Sequence, residues 1–218
     1  MIRGRTPPYS EGAARLLPYR PASMVRMRKG GHRNIMPSTF TPLRISDVVL
    51  MERAVFPDER GYFTEVFKRS ELEANGVPPD FVQENLVGSG GNVIRGLHFQ
   101  NPDSAQGKLV SVVLGAIWDV AVDLRKTSPT FGDWVAAELS AENGRSLWVP
   151  EGFGHGYAVL SDDTLVVYQV TNEYAPETEG GVKWDDPELD IDWPLADPLL
   201  SPRDAALPAL SDANIGFD

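Results

Sequence analysis

Residues 108–123 read KLVSVVLGAIWDVAVD, and this stretch decides the fold class. Two runs of apolar and β-branched residues, Lys108–Leu114 and Ala116–Asp123, have the length and composition of buried β-strands. Only Gly115 stands between them, which leaves no room for a helix and predicts a β-hairpin. The chain is therefore expected to build its core from strands.

Strand-like segments of similar length continue on both sides of this stretch. Each is bounded by Gly, Pro, Asn or Ser, the residues that favour turns. The predicted strands are Ile45–Phe56, Tyr62–Phe67, Phe81–Leu86, Val93–Phe99, Trp134–Leu139, Ser146–Val149, Gly156–Leu160 and Thr164–Thr171. So many short strands predict an all-β protein with an antiparallel sandwich or barrel.

Only short helices are predicted. Ser70 and Glu73 have the spacing of a capping box, so a helix is expected from Ser70 to Asn75, closed by the glycine that follows. Beyond Tyr174 the chain is rich in Pro and Asp. We expect this part to wrap over the barrel and to form a second short helix near Ser201–Ala206.

The first 35 residues differ in character from the rest of the chain. They are basic, contain Pro, Gly and Ser and show no clear periodicity, which predicts a disordered N-terminal extension. A gene model that begins too early, with the true start at Met24 or Met36, explains the same pattern, and the sequence leaves both interpretations open. No secretory signal is expected, because the basic start lacks a continuous apolar core. Residues 36–218 are expected to form a single domain.

The composition argues against several classes of function. The net charge of −11 disfavours nucleic-acid binding through a broadly basic surface. No run approaches the roughly 18 apolar residues of a membrane span, so no membrane partner is expected. The 218 residues include no cysteine, which excludes disulfides and thiolate metal sites. We expect a cytoplasmic protein.

The segment Arg95–Gln100, with the sequence RGLHFQ, holds the first candidate site residues. His98 carries an imidazole, Lys108 follows on what is predicted to be a neighbouring strand, and Arg95 comes three residues earlier. A base, a cation that stabilises an oxyanion and an anion anchor suit proton abstraction next to a carbonyl of an anionic substrate. Each of these residues taken alone is more often structural or solvated.

The histidines argue against a metal centre. His32 lies in the basic extension, whereas His98 and His155 fall in strand-like segments flanked by glycines. A metal-binding cupin would need about three imidazoles and a carboxylate, and this chain has no His-x-His pair. We therefore expect no metal and no cofactor. Two interpretations stay open for the histidines: acid–base chemistry, or burial with hydrogen-bond partners.

Two tyrosines and one aspartate complete the candidates. Tyr168 lies on a predicted strand, where a phenol can give or take a proton if a charged partner is close. Tyr174 precedes a loop that would cross the barrel mouth and could stack on a planar ligand. A buried Asp204 could hold one nitrogen of a histidine and raise its basicity, but the sequence alone does not place it there.

From about Phe40 to Ala206 these segments together resemble the dTDP-4-dehydrorhamnose 3,5-epimerase family. The matching motifs are Phe56–Glu65, Gln83–Asn85, Arg95–Gln100, Gln106–Lys108, Gly152–Tyr157, Tyr168, Tyr174–Glu179, Trp193–Pro194 and Ser201–Asp204. The resemblance implies a cupin-like antiparallel jelly roll with one or two short helices. It also implies a metal-free homodimer that exchanges strands or tails between subunits.

The resemblance further implies a mechanism on dTDP-4-keto-6-deoxy-glucose, whose C3 and C5 protons flank the C4 carbonyl. His98 would be the base, and Asp204 would orient it. Lys108 would stabilise the enolate oxygen, and Tyr168 would return a proton from the opposite face. Arginines would hold the pyrophosphate, and other polar side chains would contact the nucleotide and the sugar. The implied substrate-binding residues are Arg60, Glu65, Gln83, Asn85, Arg95, His155, Tyr174, Glu179 and Arg203.

Three positions depart from the family pattern. Glu173 stands where family members often carry an aromatic residue, Gly154 replaces the usual alanine before the second histidine, and Arg203 aligns with a common lysine. None of these changes removes a catalytic group. Other interpretations stay open: an epimerase that acts at C3 or C5 only, a non-catalytic sugar-nucleotide-binding jelly roll, and a metal-dependent cupin oxygenase, which the missing ligands disfavour.

Overall fold

Strands dominate residues 38–218, the part of the chain that the computed structural model describes. They are β1 (Thr39–Pro42), β2 (Val49–Glu52), β3 (Val55–Asp58), β4 (Gly61–Thr64), β5 (Gln83–Gly90), β6 (Ile94–Gln100), β7 (Lys108–Leu114), β8 (Ala116–Asp123), β9 (Trp134–Ser140), β10 (Arg145–Val149), β11 (Phe153–Val159), β12 (Asp163–Val170) and β13 (Glu179–Gly181). The helix α1 is Arg69–Ala74, and 3₁₀ turns lie at Pro102–Ser104, Asp204–Ala206 and Leu210–Asp212. The predicted extension, residues 1–35, and the two alternative start methionines lie outside the described residues.

Two antiparallel sheets face each other. The first has the strand order β1-β2-β10-β7-β12-β5, and the second has the order β13-β6-β11-β8-β9. Strands β3 and β4 form a separate hairpin. The predicted all-β, cupin-like antiparallel jelly roll is confirmed. Strands β7 and β8 have the predicted bounds, whereas β1 and β13 were not predicted.

The hairpin predicted at Gly115 is wrong. β7 belongs to the first sheet and β8 to the second, so the chain crosses between the sheets at this glycine. Gly115 has a φ of +75°, and a Cβ atom there would lie 2.3 Å from the Ser161 Oγ atom. A single residue without a side chain makes this crossing sterically feasible. β6 and β7, predicted to be neighbours, also lie in opposite sheets.

The helix is confirmed, but the capping box is not formed. α1 begins at Arg69 with Lys68 as its N-cap, so Ser70 lies inside the first turn and caps nothing. Glu71 in the first turn instead places a negative charge near the positive end of the helix dipole. Gly76 follows the helix with a φ of +76°, as the sequence predicts. No helix within residues 38–218 is long and apolar enough to cross a membrane.

The core lies between the sheets, and further parts of the chain pack on each outer face. Alternate residues such as Val110, Val166 and Tyr157 pack together inside the sandwich. Helix α1 covers part of the first sheet through Leu72. Residues 182–217 cover the outer face of the second sheet through apolar contacts that include Phe217. This C-terminal segment wraps over the sandwich as predicted and carries a 3₁₀ turn where a second short helix was expected.

Candidate active site

A pocket of about 440 Å³ opens between the two sheets. It is the place where the inner faces change from apolar to polar. Its walls are formed by Gln83, Asn85, Val87, Arg95, His98, Phe99, Gln100, Gln106, Lys108, His155, Tyr157, Tyr168, Tyr174, Glu179, Ser201, Arg203 and Asp204. Eleven of the thirteen residues predicted for the site therefore lie in one pocket.

Strand register explains how distant residues meet here. His98 on β6 lies directly opposite His155 on β11, so both imidazoles project from the same face of the second sheet. Tyr168 on β12 lies opposite Asn85 on β5 in the first sheet. Lys108 is the first residue of β7, also in the first sheet. The pocket consequently has an imidazole wall and a facing wall that carries the phenol and the ammonium.

His98 and Asp204 form a hydrogen-bonded pair across 106 residues of sequence, with 2.6 Å between His98 Nε2 and Asp204 Oδ1. Ser201 donates from its hydroxyl to the other carboxylate oxygen at 2.9 Å. Burial disfavours the charged carboxylate, but the hydrogen bonds and the charge of His98 outweigh it and lower the pKa of Asp204. An ionised Asp204 accepts the Nε2 proton, which leaves Nδ1 of His98 as the basic nitrogen.

Lys108 is a buried cation, with 7% of its surface exposed. Its Nζ atom donates to the backbone oxygen of His98 at 3.2 Å, which ties the two walls together. Burial lowers the pKa of Lys108 to about 8, and the charges of Asp119 and Glu179 oppose that decrease. The ammonium therefore remains charged at neutral pH but is close to titrating.

The hydroxyl of Tyr168 is a proton donor at neutral pH. Partial burial raises its pKa, and the charge of Arg95 works in the opposite direction. Arg95 is held by a hydrogen bond from its Nε atom to the Ser89 hydroxyl at 3.1 Å. Because Tyr168 and His98 lie on facing sheets, an acid and a base approach the pocket from opposite sides.

Charged and polar side chains link up at the pocket mouth. Arg203 forms an ion pair with Glu179, and the Tyr174 hydroxyl donates to Glu179 at 2.7 Å. Burial raises the pKa of Glu179, but its bonds with Arg203 and Tyr174 more than compensate and leave it lowered. Gln83 accepts a hydrogen bond from the backbone nitrogen of Tyr174 and donates to Asn85. The mouth thus offers an arginine and several amide groups to a polar, anionic ligand.

Two predicted substrate-binding residues, Arg60 and Glu65, do not line this pocket. Arg60 lies at the tip of the β3–β4 hairpin, where it binds Asp58 at 2.7 Å and its side chain is 91% exposed. Glu65 follows β4 and lies 3.7 Å from the Lys68 ammonium. The hairpin pairs with neither main sheet, which is why these side chains do not reach the pocket of their own chain.

The sequence analysis missed Asp119, which lies behind the pocket wall and bonds His155 Nε2 at 2.8 Å. An aspartate inside the otherwise apolar run 116–122 was the available signal. Gln100 was also missed. It is 4% exposed, and its side chain bonds the backbone of Ser104, Glu173 and Ala175. It therefore holds the loop that carries Tyr174.

Fold and pocket together define a class of protein. It is an antiparallel jelly roll with a base, an acid and a cation around one pocket and an arginine-bearing mouth, suited to proton transfer on an anionic ligand. Within residues 38–218, no three His, Asp or Glu side chains are grouped so that they could hold a metal ion.

Comparison with known proteins identifies the family. A family model described as dTDP-4-dehydrorhamnose 3,5-epimerase matches residues 42–212. The dTDP-4-dehydrorhamnose 3,5-epimerase of Pseudomonas aeruginosa is 52% identical over 176 residues, which cover 80% of this chain and 97% of that protein. The dTDP-4-dehydrorhamnose 3-epimerase of Streptomyces niveus is 41% identical over 173 residues, or 79% of this chain and 84% of that protein.

A solved structure agrees with these sequence matches. It is the dTDP-6-deoxy-D-glucose-3,5-epimerase of Legionella pneumophila in complex with dTDP-4-keto-L-rhamnose. It is 44% identical to this chain, superposes with a TM-score of 0.77, and the match covers 80% of this chain and 94% of the other. The chain belongs to the dTDP-4-dehydrorhamnose 3,5-epimerase family and is an epimerase.

Proposed function

We propose that this enzyme inverts C3 and C5 of dTDP-4-keto-6-deoxy-glucose and produces dTDP-4-keto-L-rhamnose. The observation that carries the proposal is the placement of the His98–Asp204 pair and Tyr168 on facing walls of one pocket, with the buried Lys108 ammonium between the sheets. Inversion at carbon needs a proton to leave one face of the ring and another to arrive on the opposite face. Facing walls meet that requirement.

Each inversion proceeds through an enolate. Nδ1 of His98 takes the proton from the carbon next to the C4 carbonyl, and Asp204 stabilises the imidazolium that forms. The electron pair moves onto the carbonyl oxygen, where the charge of Lys108 stabilises it. Tyr168 then donates its hydroxyl proton to the other face of the carbon. Solvent restores the proton to Tyr168 and removes it from His98 before the second carbon reacts.

The mouth of the pocket binds the nucleotide diphosphate. Arg95 and Arg203 supply the positive charge for the pyrophosphate oxygens, and Glu179 releases Arg203 when the ligand arrives. Gln83 and Asn85 contact the nucleotide from β5. Tyr174 is 52% exposed at the entrance, which gives its ring room to stack on the base.

The second candidate function is epimerisation at one carbon only. It is favoured by the match to the 3-epimerase of Streptomyces niveus. The match to the Pseudomonas aeruginosa 3,5-epimerase is higher in identity, 52% against 41%, and supports two-carbon epimerisation as the main proposal.

Proton NMR of dTDP-4-keto-6-deoxy-glucose with the full-length enzyme in D₂O tests the proposal. We expect deuterium to enter at both C3 and C5, and we expect His98→Ala to abolish exchange at both. His98→Asn offers a matched control, because it keeps a polar group that can bond Asp204 but cannot act as a base. Exchange at one carbon would assign the enzyme to the monoepimerases. Binding without exchange would overturn this substrate assignment and favour a different nucleotide sugar or a non-catalytic binding module.

We also propose that the enzyme is a cytoplasmic homodimer with exchanged strands. The β3–β4 hairpin and the chain that follows it support exchange, since Tyr62, Phe63, Val66 and Phe67 are between 42% and 64% exposed. Such an apolar surface is typical of a subunit contact. The absence of cysteine fits a reducing compartment.

A further inference from the structure

Asp119 is a completely buried carboxylate that the proposed mechanism does not use. It lies in the middle of β8, and its relative exposure is 0%. Oδ1 bonds His155 Nε2 at 2.8 Å, whereas no group in residues 38–218 bonds the buried Oδ2 atom. A buried, ionisable group with one oxygen unpartnered is costly to the fold, so its retention calls for a reason.

Register places this carboxylate beside the site. Asp119 lies opposite Tyr157, two residues from His155 on the same face of β11. His155 in turn lies opposite His98 on β6. The pocket therefore has two histidine–carboxylate pairs on one wall, His98 with Asp204 and His155 with Asp119. The first pair is open to the pocket, and the second is almost fully buried.

His155 is held as a neutral imidazole. Burial lowers its pKa, and Lys108 and His98 lower it further, although Asp119 works in the opposite direction. A neutral imidazole that gives its Nε2 proton to Asp119 has its lone pair on Nδ1. Nδ1 is then a fixed hydrogen-bond acceptor, suited to a sugar hydroxyl in the pocket.

Charged and titratable groups from several elements face Lys108, and Asp119 is one of the two anions that raise the pKa of its ammonium. The charged and titratable groups that line the pocket with Lys108 are Arg95 and His98 on β6, His155 and Tyr157 on β11, Tyr168 on β12, Tyr174, Glu179 on β13, Arg203 and Asp204. Glu179 is already paired with Arg203, and Asp204 is paired with His98. Asp119 is paired with His155, which burial holds neutral, so the negative charge of Asp119 is left to balance Lys108.

We propose that Asp119 is a positioning residue: it orients His155 as a hydrogen-bond acceptor for a sugar hydroxyl and supplies the buried negative charge that balances the Lys108 ammonium. The proposal rests on the epimerase function proposed above. It deepens that function, because it explains how a lysine buried in the pocket is already charged before an enolate forms beside it.

The test compares Asp119→Asn with Asp123→Asn. Both aspartates lie on β8, and both have 0% exposure. Asp123 bonds Arg125, Ser128 and Thr130 outside the pocket, so its variant controls for the loss of a buried carboxylate. In Asp119→Asn, we expect kcat/KM for dTDP-4-keto-6-deoxy-glucose to begin its alkaline decrease about one pH unit lower than in the wild type. The reason is that Lys108 loses the nearby negative charge that favours its ammonium form. Asp123→Asn should lower Tm and leave the pH of this decrease unchanged.

The proposal would be overturned if the alkaline decrease in kcat/KM occurs at the same pH in Asp119→Asn as in the wild type, or shifts equally in both variants. Asp119 would then have only a structural role. NMR of the ligand-free, full-length protein gives a second readout that needs no turnover. We expect the Lys108 ammonium of the wild type to titrate near pH 8 and His155 to carry its proton on Nε2 at pH 7.

The NMR readout also separates this proposal from the epimerase function. Suppose that the substrate does not exchange deuterium but the pKa of Lys108 is lower in Asp119→Asn than in the wild type. The epimerase function then fails, and the role of Asp119 stands. A His155 proton on Nδ1, or a charged His155 at pH 7 in the wild type, would refute the positioning role even if Asp119→Asn does not fold.

Discussion

At the scale of single residues, the site depends on ionisable side chains that the fold has removed from water. Lys108 is buried beside two imidazoles, and its burial costs the ammonium form part of its stability. Asp204 is buried too, but it has His98 and Ser201 as hydrogen-bond partners. The lysine can therefore lose its charge at mildly alkaline pH.

The first prediction concerns the pH dependence of activity. Burial lowers the pKa of Lys108 to about 8, so the ammonium is charged below that pH and lost as the pH rises through it. The enolate then loses its cation, and kcat/KM should fall by up to about tenfold per pH unit above 8. Initial rates from pH 6 to pH 10 measure this. A profile that stays flat to pH 10 would show that the charge of Lys108 is not needed.

Lys108→Arg tests the same assignment from the other direction. Arginine remains charged throughout this range, so kcat/KM of the variant should no longer fall above pH 8. Its maximum kcat/KM should be lower than that of the wild type, because the larger guanidinium fits poorly at a buried site. Lys126 is exposed, and Lys126→Arg is the matched control that should keep the wild-type profile. If kcat/KM of Lys108→Arg still falls above pH 8, the decrease is caused by another group.

At the scale of secondary-structure elements, the two histidines depend on a close approach of β6 and β11. Gly96 and Gly156 allow this approach, and the register of the two strands shifts between His155 and Tyr157. Gly96 has a φ of +119°, and a Cβ atom there would lie 2.5 Å from the Gly156 Cα atom. The motif around His98 therefore includes a glycine for steric reasons.

The second prediction is that Gly96→Ala destabilises the protein by at least about 2 kcal/mol, from backbone strain and overpacking together. It should also lower kcat, because separating β6 from β11 moves His98 relative to His155. Urea unfolding gives the free energy, and steady-state rates give kcat. Gly88→Ala on β5 is the control, since its Cβ would only touch a Leu165 methyl at 3.6 Å. Equal stability of the two variants would contradict the steric argument.

At the scale of the whole molecule, the sandwich is completed by chain that is remote in sequence. Residues 182–217 cover the outer face of the second sheet and bring Asp204 to His98. The β3–β4 hairpin has no such place in its own chain. Its tip holds Arg60 outside the pocket, and its apolar side chains are exposed. A second protomer would explain both features.

The third prediction follows from the proposed dimer. If the hairpin of one protomer reaches the pocket of the other, Arg60→Ala and His98→Ala should each lose activity, and co-expression of the two should restore part of it. A mixed dimer has one intact site, in which His98 comes from one protomer and Arg60 from its partner. The rate of purified mixed dimers is the measurement. If the two variants remain inactive when mixed, each site takes Arg60 and His98 from the same protomer, which would contradict the prediction.

Much of the candidate site could be predicted because its residues lie in short local motifs. Arg95 and His98 share one strand, and Lys108 begins another. Their residue types suggested the chemistry, and the family resemblance supplied the roles of Arg203 and Glu179. The prediction failed for Gly115, because local sequence marks a tight turn but does not say which sheet the next strand joins. It missed Asp119, whose partner His155 is 36 residues away.

The sequence by itself determined that the chain is built of short strands, since strand length, alternation and turn residues are local properties. It also determined which titratable groups are present and which motifs carry them. Only the tertiary structure decided that His98 and Tyr168 face each other from different sheets, that Asp204 and Asp119 each hold one histidine, and that the β3–β4 hairpin lies apart. These relations depend on how the two sheets pack, and packing depends on contacts between residues far apart in the chain.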